Sequence, residues 1–170
     1  VPLVRATLPK FRIPDRIYLN RNRQFDFALS YYDSLNYLLK PADLKTTFEN
    51  VAKHLSEGGL FIFDMNSPQA LGGIWGDNVW GGAHPDLCWI FRHTFDKANT
   101  LGTVRTTFFM REGKLWRRFD ETHVERGYSL ALLKKLLTDA GFSVKAIYRC
   151  FTFDRATDKT NRFCVVARKR

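Results

Sequence analysis

The chain has 170 residues, a net charge of +10, and is 45% apolar and 15% aromatic. That is the length of one domain with ample material for a core, so a disordered chain and a multidomain array are both excluded. No apolar run approaches the length of a membrane-spanning helix, since even Leu60-Phe61-Ile62-Phe63 is closed by Asp64.

Residues 1–24 carry few signals of regular structure. Val1 to Val4 reads as the end of a strand, Arg5 to Pro14 as a loop punctuated by Pro9 and Pro14, and 15–24 as an exposed excursion. The densest basic cluster, Arg5, Lys10, Arg12, Arg16, Arg21 and Arg23, falls in this loop-like part. A solvated surface explains it as well as a nucleic-acid face does. The sequence opens at Val1 with neither an initiator methionine nor a secretory leader, which points to residues upstream.

Phe25 to Leu39 is the stretch around which the rest is organised. An apolar and aromatic run of one buried strand's length gives way abruptly to Tyr31, Tyr32, Asp33, Ser34 and Asn36. In an open α/β sheet, strands end at a crevice where loops present polar groups to a ligand. Pro41 suits the first turn of a helix, and Leu44, Phe48, Val51, Ala52 and Leu55 form one apolar stripe. Gly58-Gly59 is read as the end of that helix, and Leu60 to Met65 as a second buried strand, making a parallel strand-helix-strand unit. Asp64 and Asn66 would leave the second strand as Asp33 and Asn36 leave the first, toward the same crevice.

Residues 67–87, rich in glycine and holding Trp75, Trp80 and His84, read as a loop over the crevice. Three strand-like runs follow, Cys88 to Phe95, Thr103 to Met110 and Lys114 to Val124, an antiparallel meander inserted in an α/β protein. Ser129 can cap a helix with Leu130, Leu133, Leu137 and Ala140 on its buried stripe, and Gly141 ends it. Phe142 to Cys150 and Arg162 to Arg168 read as a closing antiparallel hairpin. There is no internal repeat.

The three cysteines, Cys88, Cys150 and Cys164, have neither a close pairing nor metal-ligand spacing with His54, His84, His93 or His123. The expectation is reduced thiols in a cytoplasmic protein, with no metal site. His123, between Glu121 and Glu125 at the end of the meander, is the best candidate base, because imidazole titrates near neutral pH. An exposed histidine on a strand is the plainer explanation of the same residue. Trp75, Trp80, Trp89 and Trp116 would line an acceptor pocket or simply pack the meander.

With this element order in hand, four segments become recognisable. They are Phe25-Asp26, Asp33 to Leu38, His54 to Asp64 and Glu125-Arg126-Gly127-Tyr128-Ser129. On these the chain resembles a class I S-adenosylmethionine-dependent methyltransferase of the small-molecule type. The fold class that follows is α/β: the C-terminal portion of a Rossmann-like methyltransferase sheet with an inserted antiparallel β meander. Residues 1–66 and 125–170 would form the core, and 67–124 a lid, substrate or dimer element.

The resemblance implies S-adenosylmethionine as cofactor, bordered by Ser30, Tyr31 and Tyr32, with Thr7 and Leu8 near the adenine. It places Asp33, Ser34, Asn36, Tyr37, Asp64 and Asn66 at the methyl group and acceptor, with Asp33 and His123 as the catalytic pair. The family's glycine-rich cofactor loop and ribose-binding acidic residue have no counterpart here, which implies an unpaired sheet edge at 25–31 completed by upstream residues or another chain. The expected activity is methyl transfer to nitrogen or oxygen of a small molecule, in a protein that does not enter membranes and that could form a homo-oligomer. An RNA methyltransferase and a non-catalytic partner subunit are the alternatives.

Overall fold

The computed structural model describes residues 3–18 and 24–170. Of the basic cluster, Arg21, Arg23 and the Arg16 side chain lie outside the described residues, as do Val1 and Pro2. Leu3 to Pro14 is irregular rather than a strand, and Asp15–Ile17 forms a single 3-10 turn.

Strand β1 (Phe25–Ser30) runs parallel to β2 (Leu55–Asn66), and helix α1 (Pro41–His54) connects them. Pro41 stands in the first turn, where its missing N–H costs nothing. The stripe Leu44, Phe48, Val51 and Ala52 is buried, as the spacing predicts. The glycine pair does something other than end this helix. The helix stops at His54, and Gly58, at φ +76°, lies inside β2. There β2 advances from Leu55 to Leu60 while β1 advances from Phe25 to Phe27, so the pair bulges. A side chain on Gly59 would meet the Ser56 carbonyl at 2.9 Å, so the close backbone approach there requires glycine.

The main sheet has the order β1-β2-β8-β7, closed by the antiparallel pair β7 (Phe142–Arg149) and β8 (Arg162–Lys169). Helix α2 (Leu130–Asp139) precedes β7, and the Ser129 hydroxyl accepts from the Leu132 N–H at 3.3 Å, as its capping position predicts. Phe61, Phe63 and Met65 alternate into one face and pack with Phe48 of α1 and with Leu133 and Leu137 of α2. The Phe61 and Phe63 ring centroids are 4.8 Å apart, with Phe48 5.5 Å from Phe63. Tyr128 is buried beside this core and its hydroxyl donates to the Leu38 carbonyl.

Among the described residues β1 stands at the sheet edge. Phe27 and Leu29 pair in register with Leu60 and Ile62 on the face away from the core, and are 61% and 50% exposed.

The inserted sheet has four strands, not three, in the order β3 (Val79–His84), β4 (Leu87–Asp96), β5 (Leu101–Glu112) and β6 (Leu115–Arg126). The segment read as a loop also holds a π-helical turn, Ala70–Trp75. β3 is hidden in the sequence because glycine disfavours strands, yet the Trp89 ring lies where a side chain on Gly82 would be, 2.2 Å from it. Leu71 of the π turn packs on Gly102 and Phe95 packs on Gly72, which anchors the meander to the end of β2. No helix among the described residues is long and apolar enough to cross a membrane.

Replacing Phe27 and Leu29 together by threonine keeps β propensity while removing apolar surface from an edge strand. The expected outcome for the 170-residue chain is less light scattering on heating, with a stability change below about 1 kcal/mol. Chemical denaturation checks the second half.

Candidate active site

Ser30 ends β1, and the chain then turns sharply through two successive left-handed residues, Tyr32 at φ +57° and Asp33 at φ +50°. Non-glycine residues adopt this conformation at a cost on the order of 1 kcal/mol or more, so surrounding bonds must hold it. They do. The Asp33 N–H donates to Asp64 Oδ1 at 3.1 Å, and the Ser34 hydroxyl donates back to the Tyr31 carbonyl at 2.7 Å. A single 3-10 turn, Ser34–Tyr37, then buries Leu35 and Asn36 and leaves Tyr37 at the surface.

Asn36 ties three elements together. Its Nδ2 donates to the carbonyls of Asn66 and Arg126, at 2.9 and 2.8 Å, while its Oδ1 accepts from the Asn66 N–H at 3.0 Å. The Asn66 side chain in turn bridges two carboxylates, donating to Asp33 Oδ2 at 2.7 Å and Glu125 Oε2 at 3.1 Å. The cation that balances them comes from β8. Arg162 donates through Nε and Nη2 to Asp64 Oδ2, at 2.9 and 2.7 Å, and through Nη1 to Asp33 Oδ2 at 3.4 Å. Its guanidinium lies 5.6 Å from the centre of the Tyr32 ring.

Glu125 is only 4% exposed, and burial pushes its carboxyl up to about 7. The Asn66 bond opposes that rise, the Asp33 charge adds to it, and Arg162 and His123 pull against it. Burial likewise raises the Cys150 and Cys164 thiols, the former 3.8 Å from Asp64, so neither is an activated nucleophile.

Beside this buried cluster a chain of three side chains opens to solvent. The Tyr37 hydroxyl lies 3.1 Å from His123 Nδ1, and His123 Nε2 lies 3.1 Å from Glu121 Oε2. A carboxylate only accepts, so Nε2 carries the hydrogen and Nδ1 is left to accept from Tyr37. Burial raises the Tyr37 hydroxyl, with the charges of Glu125, Asp33 and Glu121 adding to it. The phenol therefore stays protonated at neutral pH.

Of the residues singled out in the sequence, Asp33, Asn36, Tyr37, Asp64, Asn66 and His123 converge here. Ser34 serves the turn. Tyr31 and Tyr32 stand exposed at its outer side, Tyr32 at 81%. Thr7 and Leu8 lie exposed in the irregular segment, and among the described residues no hydrogen bond joins them to the cluster. Arg162, Glu121 and Glu125 were not among the site residues chosen from sequence. The two glutamates flank His123 at alternate positions on one strand face, a signal present in the sequence. Arg162 carried no such signal, because its role depends on β8 pairing with β2, Asn66 opposite Arg162.

No family model matches the chain. It is 31% identical over 148 residues to a protein of Geobacillus sp. strain WCH70 and 28% identical over 147 residues to YqeM of Bacillus subtilis strain 168. Both are assigned provisionally as methyltransferases. A crystal structure of an S-adenosylmethionine-dependent methyltransferase from Clostridium acetobutylicum superposes with a TM-score of 0.80 at 31% identity, over 95% of this chain and 65% of that one. In sequence and fold the chain is similar to S-adenosylmethionine-dependent methyltransferases. It spans 59% of the length of the two curated relatives. The polar groups gather at the carboxyl ends of the parallel strands β1 and β2, where an open α/β sheet places its ligands.

Two outcomes test the cluster. Arg162→Met leaves the buried Asp64 carboxylate unpaired and should cost about 3–5 kcal/mol in urea denaturation, with Arg162→Lys costing less. For Glu125 the folded state favours the proton. Its contribution to stability is full below the ordinary 4.5 and is lost as pH rises through about 7. Relative to Glu125→Gln, the wild-type chain should therefore lose stability on the order of 3 kcal/mol between those limits.

Proposed function

We propose that this protein catalyses methyl transfer from S-adenosylmethionine to a nitrogen or oxygen of a small molecule. The observation that carries the proposal is the Tyr37–His123–Glu121 chain, which opens beside the ends of the two parallel strands. When bound, the cofactor supplies a methyl group made electrophilic by an adjacent sulfonium.

The residues present suit the reactive end of that group. Asp33 and Asp64 make the mouth electronegative, and the exposed Tyr31 and Tyr32 rings offer faces to a cation. Ser30, Tyr31 and Tyr32 would border it. Tyr37 holds the acceptor by accepting from its N–H or O–H while donating to His123 Nδ1. The acceptor proton moves through the Tyr37 oxygen to His123 Nδ1, and Glu121 stabilises the imidazolium through Nε2–H. The rest of the contribution is positioning, which the buried Asn36, Asn66 and Arg162 bonds supply.

An acidic surrounding disfavours a phosphate-bearing acceptor at this point, in spite of the net positive charge of the whole chain. The full chain should bind S-adenosylhomocysteine in calorimetric titration. Methyl-labelled S-adenosylmethionine should label a small-molecule extract fraction, and His123→Asn should slow labelling about 100-fold without weakening S-adenosylhomocysteine. Label appearing in RNA instead, or no binding by the folded full chain, would refute the proposal.

A further inference from the structure

The strand registers of the meander place its side chains in transverse rows. His93, Val104 and His123 are directly paired across β4, β5 and β6, so all three stand on one face, with the two imidazoles about 10 Å apart by strand spacing. The adjacent row on that face is Trp80, Phe91, Thr106 and Glu121. The catalytic chain is thus one end of a short floor whose other end is aromatic.

That far end has an unfilled polar requirement. His93 is 8% exposed, and neither ring nitrogen has a hydrogen-bond partner among the described residues. Trp75 and Trp80 enclose it, with ring centroids 5.4 and 5.2 Å away, and Phe91 stands at 6.5 Å. An unmatched buried polar group costs about 1–3 kcal/mol, which a hydrogen-bonding ligand edge would recover. Trp80 itself remains 45% exposed, so a ligand can reach the aromatic end.

The charges at the two ends differ in the same direction. The Tyr37 end is bordered by the carboxylates of Glu121 and Asp33, and among the described residues the cation bonded there, Arg162, is committed to Asp64 and Asp33. A protein of net charge +10 has placed its carboxylates where the acceptor atom would sit. Such an arrangement attracts an ammonium group and repels a carboxylate or phosphate.

We infer that the acceptor is an amine carried on a flat, ring-shaped body, with its nitrogen at Tyr37 and its body stacked on Trp80, a hydrogen-bonding edge turned toward His93. The inference rests on the proposed methyl transfer and selects nitrogen over oxygen. The amine binds as an ammonium held by Glu121 and loses its proton through Tyr37 to His123. The freed lone pair then forms the N–C bond as the C–S bond breaks, and that bond's electron pair stays on sulfur as a neutral thioether.

The test uses the full chain saturated with S-adenosylhomocysteine and four probes in calorimetric titration. Tryptamine, tryptophol and indole-3-acetate share one ring and differ in charge, and ethanolamine is an amine without a ring. Tryptamine should bind at least about 10-fold tighter than each of the others. Glu121→Gln and Trp80→Ala should each weaken it about 10-fold, while His93→Phe should weaken it with S-adenosylhomocysteine affinity unchanged. Equal affinities for the three indoles, no binding of tryptamine, or variants without effect would overturn the inference and leave the methyl transfer standing. A sedimentation equilibrium dimer that Trp80→Ala dissociates would also overturn it, because a second copy would then cover this face. Failure of S-adenosylhomocysteine itself to bind would remove the proposed activity beneath it.

Discussion

Asp64 at the end of β2 and Asp33 just past the end of β1 are carboxylates side by side, and Arg162 is the cation that lets Asp64 stay out of water with Asp33 half-buried beside it. Desolvating such charges costs several kcal/mol per ion unless geometry and further hydrogen bonds compensate. Here the compensation is dense: two guanidinium nitrogens on Asp64, a third on Asp33, the Asp33 N–H on Asp64, and the Asn66 amide on Asp33. The left-handed turn at Tyr32 and Asp33 exists on the strength of these bonds. That turn sets the direction in which the next residues leave, and Tyr37, at the end of the 3-10 turn that follows, meets His123 at 3.1 Å.

The clamp also explains why a strand from the end of the chain matters to a site built from its beginning. β8 inserts antiparallel between β2 and β7, so residues 64 and 162 meet although 98 positions separate them. Strand-helix-strand periodicity, the apolar stripes of both helices, the Ser129 cap and the closing hairpin are local patterns, and each was legible in the sequence. So was the convergence of Asp33, Asn36, Asp64 and Asn66, because two neighbouring parallel strands must release their polar ends together. Arg162 was not legible, since only the pairing partner of β8 gives it a role. The strand β3 and the bulge at Gly58 were misread for one reason. Glycine signals a turn in sequence, but Gly82 gives room to the Trp89 ring, Gly59 to backbone carbonyls, and Gly58 takes a positive φ inside a strand.

The meander does more than extend the sheet. Its π-helical anchor at Ala70–Trp75 follows directly on the strand that carries Asp64 and Asn66, and Leu71 and Phe95 lock the two sheets at Gly102 and Gly72. Its last strand returns Glu121, His123 and Glu125 to the cluster on one face at two-residue intervals. Nothing has to fold over the site to complete the Tyr37–His123–Glu121 chain. The same register that brings His123 to Tyr37 carries the aromatic rows away from it, so the groups proposed for catalysis and for the acceptor share one sheet face.

A single amide between two carboxylates raises the question of which one takes the proton. Asn66 donates to both Asp33 and Glu125, but Arg162 bonds only Asp33, and Glu125 is the member pushed up to about 7. Glu121 is the carboxylate that His123 Nε2–H meets, and that selects the tautomer whose Nδ1 accepts from Tyr37. The charged form of Glu125 adds to the rise of the Tyr37 hydroxyl that burial begins. In the proposed relay Glu121 thus sets the direction, from Tyr37 through His123 toward solvent.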